Sequence, residues 1–391
     1  MSLLGPSARA AVPPFAVMSI LNRVAALRGA GRDVISLCAG EPSAGAPSDV
    51  RRAMAELMSG AVSLGYTETF GIRPLRTAIA GHYARWYGLD VDPDAVAVTT
   101  GSSGAFTLAF LAAFDPGQRV ALARPGYPAY RNILTALGCT VVDLDCGPDQ
   151  RFQPGVAMLE AAHAEAPLAG LVLASPANPT GTMVDAEQLA ALTAWCRGHG
   201  VRLVSDEIYH GITASGEVGD CAWSSDRDAL VVSSFSKFWG MTGWRLGWCL
   251  VPDDLRAPFD ALAGNFALCA PVPAQHAALA AFTERSYAEA ATAVAAFDDA
   301  RRVLLEAVPA LGWGAVAPAD GAFYVYAELG EALGAHADSV AWCAALLESE
   351  GVALTPGTDF DTVHGGSAVR ISLAAGPEAV ATAVGRIHRF H

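Results

Sequence analysis

The middle of the chain alternates short apolar, β-branched runs with longer segments of helical period. Residues 96–99, 119–123, 140–144, 170–174, 201–205, 230–234 and 246–251 read as strands. Residues 105–114, 130–137 and 185–197 read as helices, the last with Asp185 at its N-cap and Gly198 and Gly200 at its exit. Strands interleaved with helices predict a mostly parallel central sheet covered on both faces. After Pro273 the texture changes to an Ala-rich helical stretch over roughly 275–310, then a strand near 322–326, a helix near 339–349 and a strand at 368–373. The expectation is an α/β protein with a large domain over 41–280 and a smaller α+β domain built from 1–40 and 281–391. The first 40 residues hold too few elements to stand alone and are expected to pack on the smaller domain.

Composition narrows the class. Of 391 residues 52% are hydrophobic and 16% charged, which excludes a disordered chain. A net charge of −14, from 25 basic and 39 acidic residues, argues against a nucleic-acid partner. No run reaches the ~18 apolar residues of a membrane span. The N-terminus lacks a basic region, and Pro13 and Pro14 interrupt its apolar stretch, so no secretory signal is expected. Cysteines 38, 139, 146, 196, 221, 249, 269 and 343 include no C-x-x-C pair, which suits reduced, buried thiols in a soluble cytoplasmic protein. The nine histidines are scattered, and no metal site is expected. Dinucleotide, P-loop, zinc-protease and nucleophile-elbow motifs are absent from the sequence.

One count is more telling. Of the 25 basic residues only Lys237 is a lysine, where ordinary usage would supply roughly 20. A surface cation can be either residue, so a position that stays lysine while the others are arginine points to chemistry. Lysine can lose its proton and attack a carbonyl carbon to form a Schiff base, and arginine cannot.

Lys237 lies in Ser234-Phe235-Ser236-Lys237, continuing to Gly243-Trp244-Arg245-Leu246-Gly247. The segment follows a strand, at the sheet end where open α/β sheets bind ligands. The hydroxyls of Ser234 and Ser236 with the Arg245 guanidinium would suit a phosphate. This S-x-S-K-x-x-x-x-x-G-x-R-x-G pattern resembles the lysine motif of the class I/II aminotransferases, fold-type I enzymes that use pyridoxal 5'-phosphate. The resemblance runs from Gly40 to Arg370.

The resemblance implies roles for further residues. Asp206, in Asp206-Glu207-Ile208-Tyr209, would pair with the pyridine nitrogen and make the ring an electron sink. Tyr209 and Asn178 would reach the ring's phenolic oxygen from two sides. Asn178 belongs to Asn178-Pro179-Thr180-Gly181, which alone is simply a good turn. Ser102 and Ser103 would hold the phosphate at a helix N-terminus, and Tyr127 would stack on the pyridine face. Tyr66 would reach the phosphate of a neighbouring subunit, implying a homodimer with shared sites. Arg370 would grip the substrate carboxylate with its planar fork, while Gly40 lets the backbone approach the substrate. Where the family continues G-E-P with Asp-Phe, this chain has Ser43-Ala44.

The expected activity is ping-pong transfer of an amino group from an L-amino acid to a 2-oxo acid through a Lys237 Schiff base. A β-eliminating lyase of the same fold would use the same residues. A cofactor-sensing module would need an appended DNA-binding domain, for which about 40 N-terminal residues leave no room. No motif places a second arginine opposite Arg370, which favours neutral or aromatic donors over dicarboxylic ones.

Overall fold

The computed structural model describes residues 5–60 and 63–390. In chain order the strands are β1 (Ile35–Ser36), β2 (Val96–Thr99), β3 (Arg119–Arg124), β4 (Thr140–Asp145), β5 (Gly170–Ala174) and β6 (Arg202–Asp206). They continue as β7 (Leu230–Ser234), β8 (Gly247–Leu250), β9 (Tyr324–Glu328), β10 (Val352–Ala353), β11 (Thr355–Pro356) and β12 (Ala368–Ser372).

Seven of these form one sheet in the order β2-β8-β7-β6-β5-β3-β4. β3 to β7 are mutually parallel, and β8 runs against both its neighbours, β2 and β7. Alternate residues feed two cores: Leu171, Leu173, Leu203 and Val231 join one, and Val172, Val204 and Val232 the other. That two-sided burial is why these strands read as unbroken apolar runs. β8 is antiparallel because residues 235–246 form no α-helix and return the chain directly beside β7. From β3 the chain steps outward to β4, then returns to add β5 on the other side of β3. The crevice between the carboxyl ends of β3 and β5 is therefore a topological switch point, where such sheets hold ligands.

The C-terminal part forms a second, antiparallel sheet, β11-β12-β9. β1 pairs in parallel with β10, and the helix α1 (Ala16–Gly29) buries Val24 and Leu27 against Val34, Cys38, Leu347 and Ala353. α1 and β1 thus pack on the C-terminal part of the chain, whereas Pro13 and Phe15 just before α1 meet Asn132 and Tyr127.

Some elements differ from expectation. The stretch over 275–310 is two helices, Val272–Ala278 and Glu284–Ala307, separated by a tight turn at Leu279–Phe282. Thr283 starts the second, its Oγ1 accepting from the Ser286 N–H at 3.2 Å, a capping arrangement that composition conceals. The helix expected at 105–114 begins at Gly101, so Ser102 and Ser103 occupy its first turn. The eight cysteines are free, and all but Cys269 are buried. Among the described residues no helix is long and apolar enough to cross a membrane.

Candidate active site

Lys237 is aimed by the turn that follows β7. Ser234 Oγ accepts from the Ser236 N–H at 2.9 Å and donates to the Leu246 carbonyl at 3.2 Å, while the Phe235 ring is fully buried. Lys237 Nζ then donates to the Gly40 carbonyl at 2.7 Å and lies 5.7 Å from the Tyr209 ring centroid. Burial lowers its pKa to about 8; Arg370 and Arg245 push the same way, and Asp206 opposes them. An amine so placed is partly neutral near pH 8 and able to act as nucleophile or base.

Asp206 closes β6 and is buried. Its Oδ2 accepts from the Tyr130 hydroxyl and its Oδ1 from the Ile208 N–H at 3.1 Å. Burial raises its pKa to about 6, against the Tyr130 and Ile208 hydrogen bonds and the Lys237 charge. A sequestered carboxylate of this kind gains from a cationic partner.

Around these two groups the second sheet supplies Arg370, from β12. Its Nη1 donates to Asn178 Oδ1 at 3.0 Å and its Nη2 to the Cys38 carbonyl at 2.6 Å, while Nε is buried without a partner. The guanidinium sits 4.5 Å from the Tyr324 ring and 4.7 Å from the Phe360 ring. The Tyr324 hydroxyl meets the Tyr209 hydroxyl at 2.9 Å. A Cβ on Gly40 would stand 2.5 Å from that Tyr324 oxygen, so only glycine lets the Lys237 anchor and the tyrosine pair coexist.

Opposite lies an anion cradle. The helix Gly101–Ala113 presents its free first-turn N–H groups beside Ser102 and Ser103. Arg245 Nη1 donates to the Thr242 carbonyl at 2.8 Å, and a Cβ on Gly101 would come within 2.5 Å of Arg245 Nη2. The helix start and the guanidinium are therefore in direct contact.

These groups share one cavity of about 380 Å³. Of the residues expected from sequence, Gly40, Ser102, Ser103, Tyr127, Asn178, Asp206, Tyr209, Ser236, Lys237, Arg245 and Arg370 line it. Two stand elsewhere. Ser234 is absent from the wall because its hydroxyl is spent holding the turn. Tyr66 projects into solvent, 83% exposed. Sequence reasoning missed Tyr130 and Tyr324, which hold Asp206 and Tyr209, and the wall residues Phe15, Val17, Met18 and Leu21 of the N-terminal segment. Tyr130 had a signal: it follows Tyr127 by three residues at a helix start, and the two rings meet edge to face at 5.3 Å.

A buried lysine amine, a buried carboxylate across from it, an anion cradle and an arginine with a spare N–H define a site for a phosphorylated carbonyl compound and a carboxylate substrate. The chain belongs to the class I and II aminotransferases, whose family model matches residues 32–387. It is a pyridoxal-phosphate-dependent aminotransferase with the fold-type I architecture. It is 52% identical over 380 residues to the valine–pyruvate aminotransferase of Mycobacterium tuberculosis, covering 97% of this chain and 96% of that one. It resembles the solved structure of an aminotransferase from M. tuberculosis with a TM-score of 0.95, at 50% identity and 99% coverage of each chain. The aspartate/prephenate aminotransferase of Thermus thermophilus is 32% identical over 381 residues, 97% of this chain and 96% of that one. The cofactor fits what the cavity offers: the cradle suits its phosphate, and Asp206 suits a protonated ring nitrogen.

Proposed function

We propose that the enzyme moves the amino group of a neutral, apolar L-amino acid, valine foremost, to pyruvate. The observation that carries this reading is the cavity's set of cations. Among the described lining residues these are Lys237, Arg245 and Arg370. With Arg245 against the cradle and Lys237 at the reacting centre, only Arg370 remains for a carboxylate. A donor with a second carboxylate would leave that charge unpaired, whereas valine and pyruvate each carry one. The valine–pyruvate activity named for the relative at 52% identity supports the same choice.

When bound, pyridoxal phosphate supplies an aldehyde that condenses with amines and a ring that withdraws electrons from the substrate Cα. The chain's own residues do the rest. Lys237 Nζ would hold the cofactor and, as the free amine, would carry the proton away from the substrate Cα. Asp206, fixed by Tyr130, would keep the ring nitrogen protonated. Tyr209 and Asn178 would donate to the phenolic oxygen, and Tyr127 would cover the ring. Ser102, Ser103, Ser236 and Arg245 would hold the phosphate, and Ser234 would act on it through the turn that it braces. Arg370 binds the substrate carboxylate and so sets which Cα bond faces Lys237, with Gly40 leaving space beside it.

The exposed Tyr66 is assigned to the phosphate of a second subunit, giving a homodimer with shared sites, and the compartment is the cytoplasm. The large domain spans 41–280, and 1–40 with 281–391 make the small one. Donor choice is tested by steady-state kinetics with valine, alanine, phenylalanine and aspartate against pyruvate. Valine should exceed aspartate in kcat/KM by at least about 10²-fold, because a buried unpaired carboxylate is strongly disfavoured. Aspartate matching valine would overturn the reading.

A further inference from the structure

α1 and its cap residue supply one apolar stretch of the cavity wall, and the first turn of this helix is held from a distance. Phe15 stands at its N-cap position and its side chain makes no capping bond. The cap arrives from far along the chain: Asp359 Oδ1 accepts from the Ala16 N–H at 2.9 Å and Oδ2 from the Val17 N–H at 3.2 Å. This carboxylate satisfies two free N–H groups and meets the positive end of the helix dipole. The C-terminal half of α1 is anchored independently, by burial of Val24 and Leu27 and by the Arg23–Glu348 ion pair at 2.6 Å. The first turn has the Asp359 bonds, the stacking of Phe15 on Tyr127, 6.2 Å between centroids, and the partly buried Val17 packed against the edge of the same apolar cluster. That turn brings Phe15, Val17 and Met18 to the cavity wall. Directly after Asp359 comes Phe360, whose ring lies against the Arg370 guanidinium.

We infer that Asp359 is a positioning residue for substrate selection. It docks the first turn of α1 as an apolar wall for the donor side chain, and through Phe360 it ties that wall to the arginine that receives the carboxylate. This rests on the apolar-donor reading above. Two ends of the donor are then gauged by one short strap, residues 359–360, and the distance between them is fixed. Valine reaches the wall and alanine falls short of it. Displacing the wall therefore removes discrimination by size while leaving Lys237 untouched.

The test uses Asp359→Ala and Asp359→Asn, the second keeping one acceptor oxygen. Valine and alanine kinetics are measured with hydrogen exchange over residues 15–22. In Asp359→Ala the valine-to-alanine ratio of kcat/KM should fall about fivefold, the factor equivalent to one lost capping interaction. The fall should come through KM for valine, with kcat nearly unchanged and faster exchange at 15–22; Asp359→Asn should lie between. An unchanged ratio overturns the inference even if exchange quickens, because Asp359 would then cap a helix and nothing more. If the alanine variant does not fold, the asparagine variant decides by the same ratio. The two failures separate: aspartate matching valine on the parent enzyme overturns the donor reading. A constant ratio in the variants of a valine-preferring parent overturns the wall alone.

Discussion

Lys237→Arg should lower transamination at least about 10⁴-fold, the upper end of what a positioned base supplies, because the same amine also holds the cofactor. Arginine keeps the charge and much of the length, so the fold should survive, and circular dichroism should be unchanged. What is lost is a nitrogen that can be neutral. Burial and the neighbouring Arg370 bring Lys237 down to about 8, whereas a guanidinium stays protonated throughout the working range. The chain offers no substitute, since the sequence contains no second lysine. Single-turnover assays with valine measure the loss directly. A variant within tenfold of the parent would mean that another group moves the Cα proton.

The second large effect is expected at Arg370. Arg370→Lys should reduce kcat/KM for valine and for pyruvate by about 10²–10³-fold, because an ammonium cannot reproduce the two-pronged bond to a carboxylate. Both substrates should suffer alike, since each presents one carboxylate to the same fork. The lysine also cannot reach Asn178 Oδ1 and the Cys38 carbonyl together, as the guanidinium does at 3.0 and 2.6 Å. Cofactor binding, measured by absorbance titration, should remain close to normal, because the phosphate cradle lies opposite. A kcat/KM that falls for one substrate alone would place the other carboxylate elsewhere.

Residues at the ends of strands were the most legible part of this protein. Asp206 ends β6, while Tyr127, Asn178 and Lys237 lie just past the ends of β3, β5 and β7; the resemblance to the family's motifs marked all four, and one cavity gathers them. The antiparallel β8 was legible as a strand but not in direction, which depends on how the 235–246 loop folds back. The break at Thr283 hides in an Ala-rich stretch, because one hydroxyl outweighs uniform helical propensity there. What could not be read at all were meetings between distant residues. Asp359 caps α1 across 343 positions, and Tyr130 holds Asp206 across 76. Periodicity reports which face a residue occupies, but not which residue waits opposite. The wall built by Phe15, Val17 and Met18 belongs to this class: helix content in the first 40 residues says nothing of the cavity that it covers.

Covalent attachment to one amine is the claim on which the account stands, and borohydride reduction followed by peptide mapping tests it most directly. The holoenzyme is reduced, digested with trypsin and analysed by mass spectrometry. A phosphopyridoxyl group is expected on Lys237, within the peptide running from Asp228 to Arg245, with loss of activity in step with labelling. Label on the N-terminal amine instead, or fully labelled Lys237 in an enzyme that still turns over, would contradict it.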